Sequence, residues 1–82
     1  MTEIPRGVNA RQFVKALQQD GFILSRTRGS HRIYRQADGR RVVVAFHHLS
    51  DTFPIGTLRA MIADADWTAD DLVRLGLAKQ VK

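Results

Sequence analysis

The chain contains no cysteine. No disulfide framework can staple it, and no thiolate is available as a metal ligand. It lacks an apolar run of roughly 18 residues, the length that reads as a membrane span, and shows no secretory leader pattern at its start. A soluble, cytoplasmic protein with no membrane partner is the expectation. No nucleotide-binding glycine motif, internal repeat, low-complexity segment or linker is present. With 82 residues the chain is a single domain over 1–82. A core of that size is too small to enclose a cofactor and still pack well, so none is expected.

Histidine is also scarce: His31, His47 and His48. None stands at metal-ligand spacing from a second histidine or a carboxylate on a predicted helix. His47 and His48 are adjacent, and on a strand they would point to opposite faces. No metal site is expected. Ser30 adjoins His31, a poor geometry for a nucleophile and its base, so a serine–histidine triad is not supported.

What is abundant is arginine, and it is concentrated. The net charge is +5. Between Arg26 and Arg41 lie six arginines (26, 28, 32, 35, 40 and 41) against one acid, Asp38. The remaining basic and acidic residues cancel, so the whole excess sits mid-chain. Arginine outnumbers lysine ten to three, and its planar fork suits phosphate. A polyanion is the partner this charge fits.

Helix and strand signals frame that segment. Asn9 with Gln12 three residues on forms a capping box, and Val8 and Phe13 are placed as a hydrophobic staple. Ala10, Phe13, Val14 and Leu17 make one apolar stripe, and Gly21 closes this first helix. Three strands follow over Phe22–Thr27, Ser30–Gln36 and Arg41–Phe46. Short turns at Gly29 and at Ala37-Asp38-Gly39 make them an antiparallel meander. A second helix begins near Pro54 or Ile55, with Leu58, Met61, Ile62 and Ala65 on its apolar face. A third, short helix is capped by Thr68 with Asp71, stapled by Trp67 on Leu72, and ended by Gly76. The order αβββαα describes an α+β domain with helices on one face of a three-stranded antiparallel sheet. The other face stays open. Tyr34 and Trp67 are read as core residues.

The segment RGSHRIYR, Arg28 to Arg35, joins this charge to a histidine. Cleaving an RNA phosphodiester needs a group that takes the 2′-OH proton and cations that offset charge on the phosphate. Histidine as a residue type titrates near neutrality, so His31 suits the first task. Arg28, Arg32 and Arg35 suit the second, with Arg40 and Arg41 extending the basic surface. Gly29 permits a tight turn and close approach of a phosphate, and Ser30 can donate to a phosphate oxygen. Strand alternation leaves two arrangements open. If Ile33 faces the helices, His31 starts on the covered side; if Tyr34 does, His31 lies on the open side.

The segment GFILSRTRGSHRIYR, followed by a strand, a histidine and then GTLRAMI, resembles the HicA family of toxin–antitoxin mRNA interferases. The resemblance runs from Asn9 to about Leu77. Its strongest parts are Gly21-Phe22, Gly29-Ser30-His31 and Gly56-Thr57-Leu58-Arg59. It implies a fold similar to the double-stranded RNA-binding domain and metal-independent endoribonuclease activity on mRNA, with His31 as catalytic residue. It also implies a cognate HicB antitoxin that covers the active site. In Val44-Ala45-Phe46-His47 the family's V-P-x-H element keeps its valine and histidine, but Ala45 stands where the family has proline. His47 is expected at the RNA on the same grounds. A non-catalytic RNA-binding module of the same fold is the alternative, and a domain that only docks an acidic protein is a third reading.

Overall fold

The computed structural model describes Pro5 and residues 7–78. Arg6, Lys79 and Lys82, counted in the charge balance above, lie outside the described residues. The elements are α1 (Ala10–Gln19), β1 (Ile23–Arg28), β2 (His31–Arg35), β3 (Arg41–Ala45), α2 (Ile55–Ala65) and α3 (Ala69–Arg74). The three strands form one antiparallel sheet in the order β1-β2-β3. The α+β architecture and the αβββαα order match the reading of the sequence.

At ten residues α1 is too short to be stable alone, so its helicity depends on what it buries. Ala10, Phe13, Ala16 and Leu17 are all fully buried. The Asn9–Gln12 capping box is formed in both directions, with Asn9 Oδ1 accepting from the Gln12 N–H at 2.8 Å and Gln12 Oε1 from the Asn9 N–H at 2.9 Å. Thr68 and Asp71 repeat the device on α3.

All three helices end the same way. Gly21, Asp66 and Gly76 have positive φ just past α1, α2 and α3. The next residue then donates its N–H back across the last turn: Phe22 to Leu17 O, Trp67 to Ile62 O and Leu77 to Leu72 O. This reversal turns an apolar side chain under the helix it has just left. Phe22, Trp67 and Leu77 are buried as a result, and Phe22 belongs to this cap rather than to β1. Among the described residues, Asp66 is the one residue other than glycine in a left-handed conformation (φ 58°).

The core is a single cluster between the helices and one sheet face. Tyr34, Val42, Val44 and Phe46 supply the sheet side, with Phe13, Leu17, Leu58, Met61, Ile62, Trp67 and Leu72 opposite. Phe13 meets Trp67 and Phe53 with ring centroids 5.3 and 6.0 Å apart. Strand β1 stays outside this packing: all six of its residues are exposed, including Ile23 and Leu24. A bulge between Leu24 and Arg26 breaks its register with β2.

One carboxylate ties the elements together. Asp20, at the end of α1, accepts from Trp67 Nε1 at 2.8 Å, Arg40 at 3.0 Å and Arg74 at 3.3 Å. Arg40 also donates to Ala65 O and lies over the Phe22 ring. Burial pushes the Asp20 carboxyl up, but the bonds from Trp67, Arg40 and Arg74 outweigh it and hold the group below its ordinary 3.8. Replacing Asp20 by Ala leaves the Trp67 N–H unpaired and should lower unfolding free energy by about 2 kcal/mol, read by urea denaturation followed by Trp67 fluorescence. A carboxyl with a lowered native pKa stabilises fully above its unfolded value and loses that contribution as pH falls through the native one. The stability gap between wild type and Asp20→Asn should therefore be widest above about pH 4 and shrink in acid.

Candidate active site

Tyr34 decides where His31 stands. The Tyr34 ring is buried beside Val42, its cross-strand partner, on the helix-covered face. Burial raises the Tyr34 hydroxyl pKa, against the opposing pull of the Arg32 charge. Alternation then places His31, Ile33 and Arg35 on the open face. Paired residues share a face, so the register lays out three rows there. They are Arg28–His31–Ala45, Arg26–Ile33–Val43 and Ile23–Arg35–Arg41. Successive rows lie about 6.7 Å apart along the strands.

Gly29 and Ser30 form the two-residue turn between β1 and β2, closed by the Arg28–His31 pair. Gly29 has φ +61° while Ser30 has no positive φ, the pattern of a type II′ turn with glycine first. A Cβ on Gly29 would meet nothing within 4 Å, so backbone conformation, not crowding, calls for glycine. The glycine and serine of the triplet thus make the turn, and the histidine opens β2 on the bare face.

The arginines divide into two groups. Arg26, Arg28, Arg35 and Arg41 are exposed on the open face. Among the described residues none of them has an acidic partner; the ion pairs are made by Arg40 and Arg74. Arg35 and Arg41 sit directly opposite each other, a like-charge pairing that costs stability. Arg32 and Arg40, expected at the RNA, are not brought to this face. Arg32 points to the covered side, donates to Phe46 O at 3.2 Å and lies 4.0 Å over the Phe46 ring. Arg40 is held by Asp20, Asp38 and Ala65 O. Arg26, not among the residues expected at the site from sequence, joins this face, and its spacing of two from Arg28 is the signal that places it there.

Residues 10–67 match the family model for the HicA toxin of bacterial toxin–antitoxin systems. The chain belongs to the HicA toxin family. The match ends at Trp67, so α3 lies beyond it. No match is found among the curated proteins. In this HicA chain, Ala45 stands where the resemblance led one to expect proline, and the ladder explains why the exchange is tolerated. The Phe46 N–H donates to Ser30 O at 3.1 Å, and the Gln36 N–H to Arg40 O at 2.9 Å. That parity turns the N–H groups of Val42, Val44 and Phe46 toward β2 and those of Arg41, Val43 and Ala45 to the outer edge. A proline at 45 would lose no bond to β2. The strand β3 itself ends at Ala45, one residue short of the expected Phe46.

Beyond Ala45 several backbone bonds fasten the chain. The His47 and His48 N–H groups both donate to Asp51 Oδ2, at 3.1 and 3.0 Å. These two bonds, that from His48 foremost, hold the Asp51 carboxyl below its ordinary value. Leu49 O and Asp51 O accept from the first N–H groups of α1, on Arg11 and Ala10. Asp51 was missed in the sequence because a lone loop aspartate carries no spacing signal. Gly56 and Thr57 are exposed near the start of α2, whose N-cap, Pro54, makes no side-chain bond. Among the described residues no three histidine, aspartate or glutamate side chains gather to hold a metal ion.

The Arg35–Arg41 opposition has a measurable consequence. Changing both to glutamine should raise unfolding free energy by about 0.5 kcal/mol in low salt, with the gain fading in roughly 1 M salt. Urea denaturation at two salt concentrations checks it.

Proposed function

We propose that this HicA toxin is an endoribonuclease that cleaves mRNA, with His31 as its catalytic residue. The observation that carries the reading is the first row of the open face. His31 stands there beside Arg28, on a surface with three further arginines free of acidic partners among the described residues. An imidazole there can take the proton from a 2′-OH. Unpaired guanidinium groups can bind the flanking phosphates and offset the charge that builds at the reacting one. Arg26, Arg28, Arg35 and Arg41 hold the RNA, with Gly29 and Ser30 at the turn beside the reacting phosphate and His47 at the end of β3. Arg32 and Arg40 serve the fold.

As a toxin of a toxin–antitoxin pair, the chain has an antitoxin partner. A HicB antitoxin covering His31 and the open-face arginines with acidic groups accounts for silencing, because such a surface would also relieve the Arg35–Arg41 repulsion. The toxin acts in the cytoplasm, where its substrate is. Among the described residues no helix is long and apolar enough to cross a membrane.

The test is cleavage of a single-stranded RNA by purified protein in EDTA, wild type beside His31→Ala. The wild type should cut, and the variant should lose about 100-fold or more in rate while still binding RNA in a gel-shift assay. Equal cutting by both would remove His31 from the chemistry. Binding without cutting by either would make the chain an RNA-binding module.

A further inference from the structure

Transesterification at an RNA phosphodiester moves two protons. One leaves the attacking 2′-OH, and one must reach the departing 5′ oxygen. His31 accounts for the first. The residues that share the open face with it are arginines, isoleucines, a valine and an alanine, none of which gives up a proton near neutral pH. The other groups with suitable chemistry near that end of the sheet are on the segment after β3.

The register brings one of them to the site. Ala45 pairs directly with His31, and His47 follows two residues on, just past the end of β3. A Cα separation of about 4.5 Å across that pair and two steps of about 3.8 Å along the chain keep the His47 backbone within roughly 12 Å of that of His31, near enough for two facing imidazoles. That is a span across which two imidazoles can flank one phosphate. The ladder continues one bond past Ala45, through Phe46 N–H to Ser30 O. His47 is exposed, and its backbone is pinned by Asp51. Phe46, its neighbour, is gripped by Arg32 through both its carbonyl and its ring. These contacts hold the backbone on either side of the His47 imidazole, and a proton donor must be held to a fraction of an ångström. His48 falls in the turn itself, where its carbonyl accepts the Asp51 N–H.

The geometry points to His47 as the general acid of the cleavage, with Arg32 as the residue that positions it; this rests on the ribonuclease reading above. Neutral His31 takes the 2′-OH proton as the 2′ oxygen bonds to phosphorus. The bond from phosphorus to the 5′ oxygen breaks, and that oxygen takes the proton of the His47 imidazolium. The products are a 2′,3′-cyclic phosphate and a 5′-hydroxyl, and solvent exchange resets both imidazoles.

The experiment compares two chimeric oligonucleotides, identical except that sulfur replaces the bridging 5′ oxygen of the scissile bond in one. A thiolate leaves without protonation, so it dispenses with a general acid but not with a base. On the oxygen substrate His47→Ala should lose about 100- to 10,000-fold, the usual worth of an acid or base. On the sulfur substrate it should come within about tenfold of wild type, while His31→Ala stays slow on both. Arg32→Met should show a smaller loss with the same rescue, which a simply loosened fold would not, and His48→Ala should match wild type. Equal loss by His47→Ala on both substrates, or rescue of His31→Ala instead, overturns the assignment. A wild type that cuts neither substrate brings down the ribonuclease reading itself.

Discussion

The arrangement depends on the carboxylate of Asp20. It stands at the exit of α1 and accepts from the α2–α3 junction through Trp67, from the β2–β3 turn through Arg40, and from α3 through Arg74. Its own backbone carbonyl accepts from Gln36, in the same turn. Four stretches distant in sequence are thus referred to one point. A small core has little surplus with which to fix relative positions by packing alone. A mostly buried carboxylate with three donors fixes them by direction. All of this is gathered at the end of the sheet marked by Arg35 and Arg41. The end marked by His31 and Ala45 is held by different contacts, those between Phe46, Arg32 and the loop to Asp51. The two ends differ in kind: one fastens the fold, the other presents His31 and Arg28 on the open face.

Six arginines close together in sequence divide between these tasks. Four remain on the open face, where the protein bears the cost of their mutual repulsion. Two are spent internally, one stacked on Phe46 and one on Phe22. A guanidinium is suited to both roles because it is planar and weakly hydrated, so it can lie on an aromatic ring and still reach a carbonyl. Basic character in the sequence is therefore a poor measure of the charge the surface leaves exposed.

Much of the fold was legible because its signals are local. Capping boxes at Asn9 and Thr68, the apolar stripe of α1 and the turn residues at Gly29 and Gly39 each act within a few positions, and each element formed where those signals lie. The strand boundaries shifted by a residue because Phe22 is claimed by the α1 cap, a competition that alternation alone does not reveal. At the site, the company His31 keeps on β2 followed from period two once Tyr34 was known to be inside. Which face that was could not be read, since Ile33 and Tyr34 are both plausible core residues. The fates of Arg32 and Arg40 were hidden for another reason. Their partners, Phe46 and Asp20, are 14 and 20 positions away, and only the closed meander brings them within reach. Asp51 was invisible on the same grounds.

The parity of β3 reaches beyond the single alanine that drew notice to it. Val42, Val44 and Phe46 spend their N–H groups on β2, while Arg41, Val43 and Ala45 turn theirs outward. Tolerance to an imino acid must then alternate along the strand, residue by residue, like the teeth of a key. A change that would be read as drastic in any substitution table passes unnoticed at one position and breaks the sheet at the next. In this strand the identity of a residue matters less to the backbone than whether its number is odd or even.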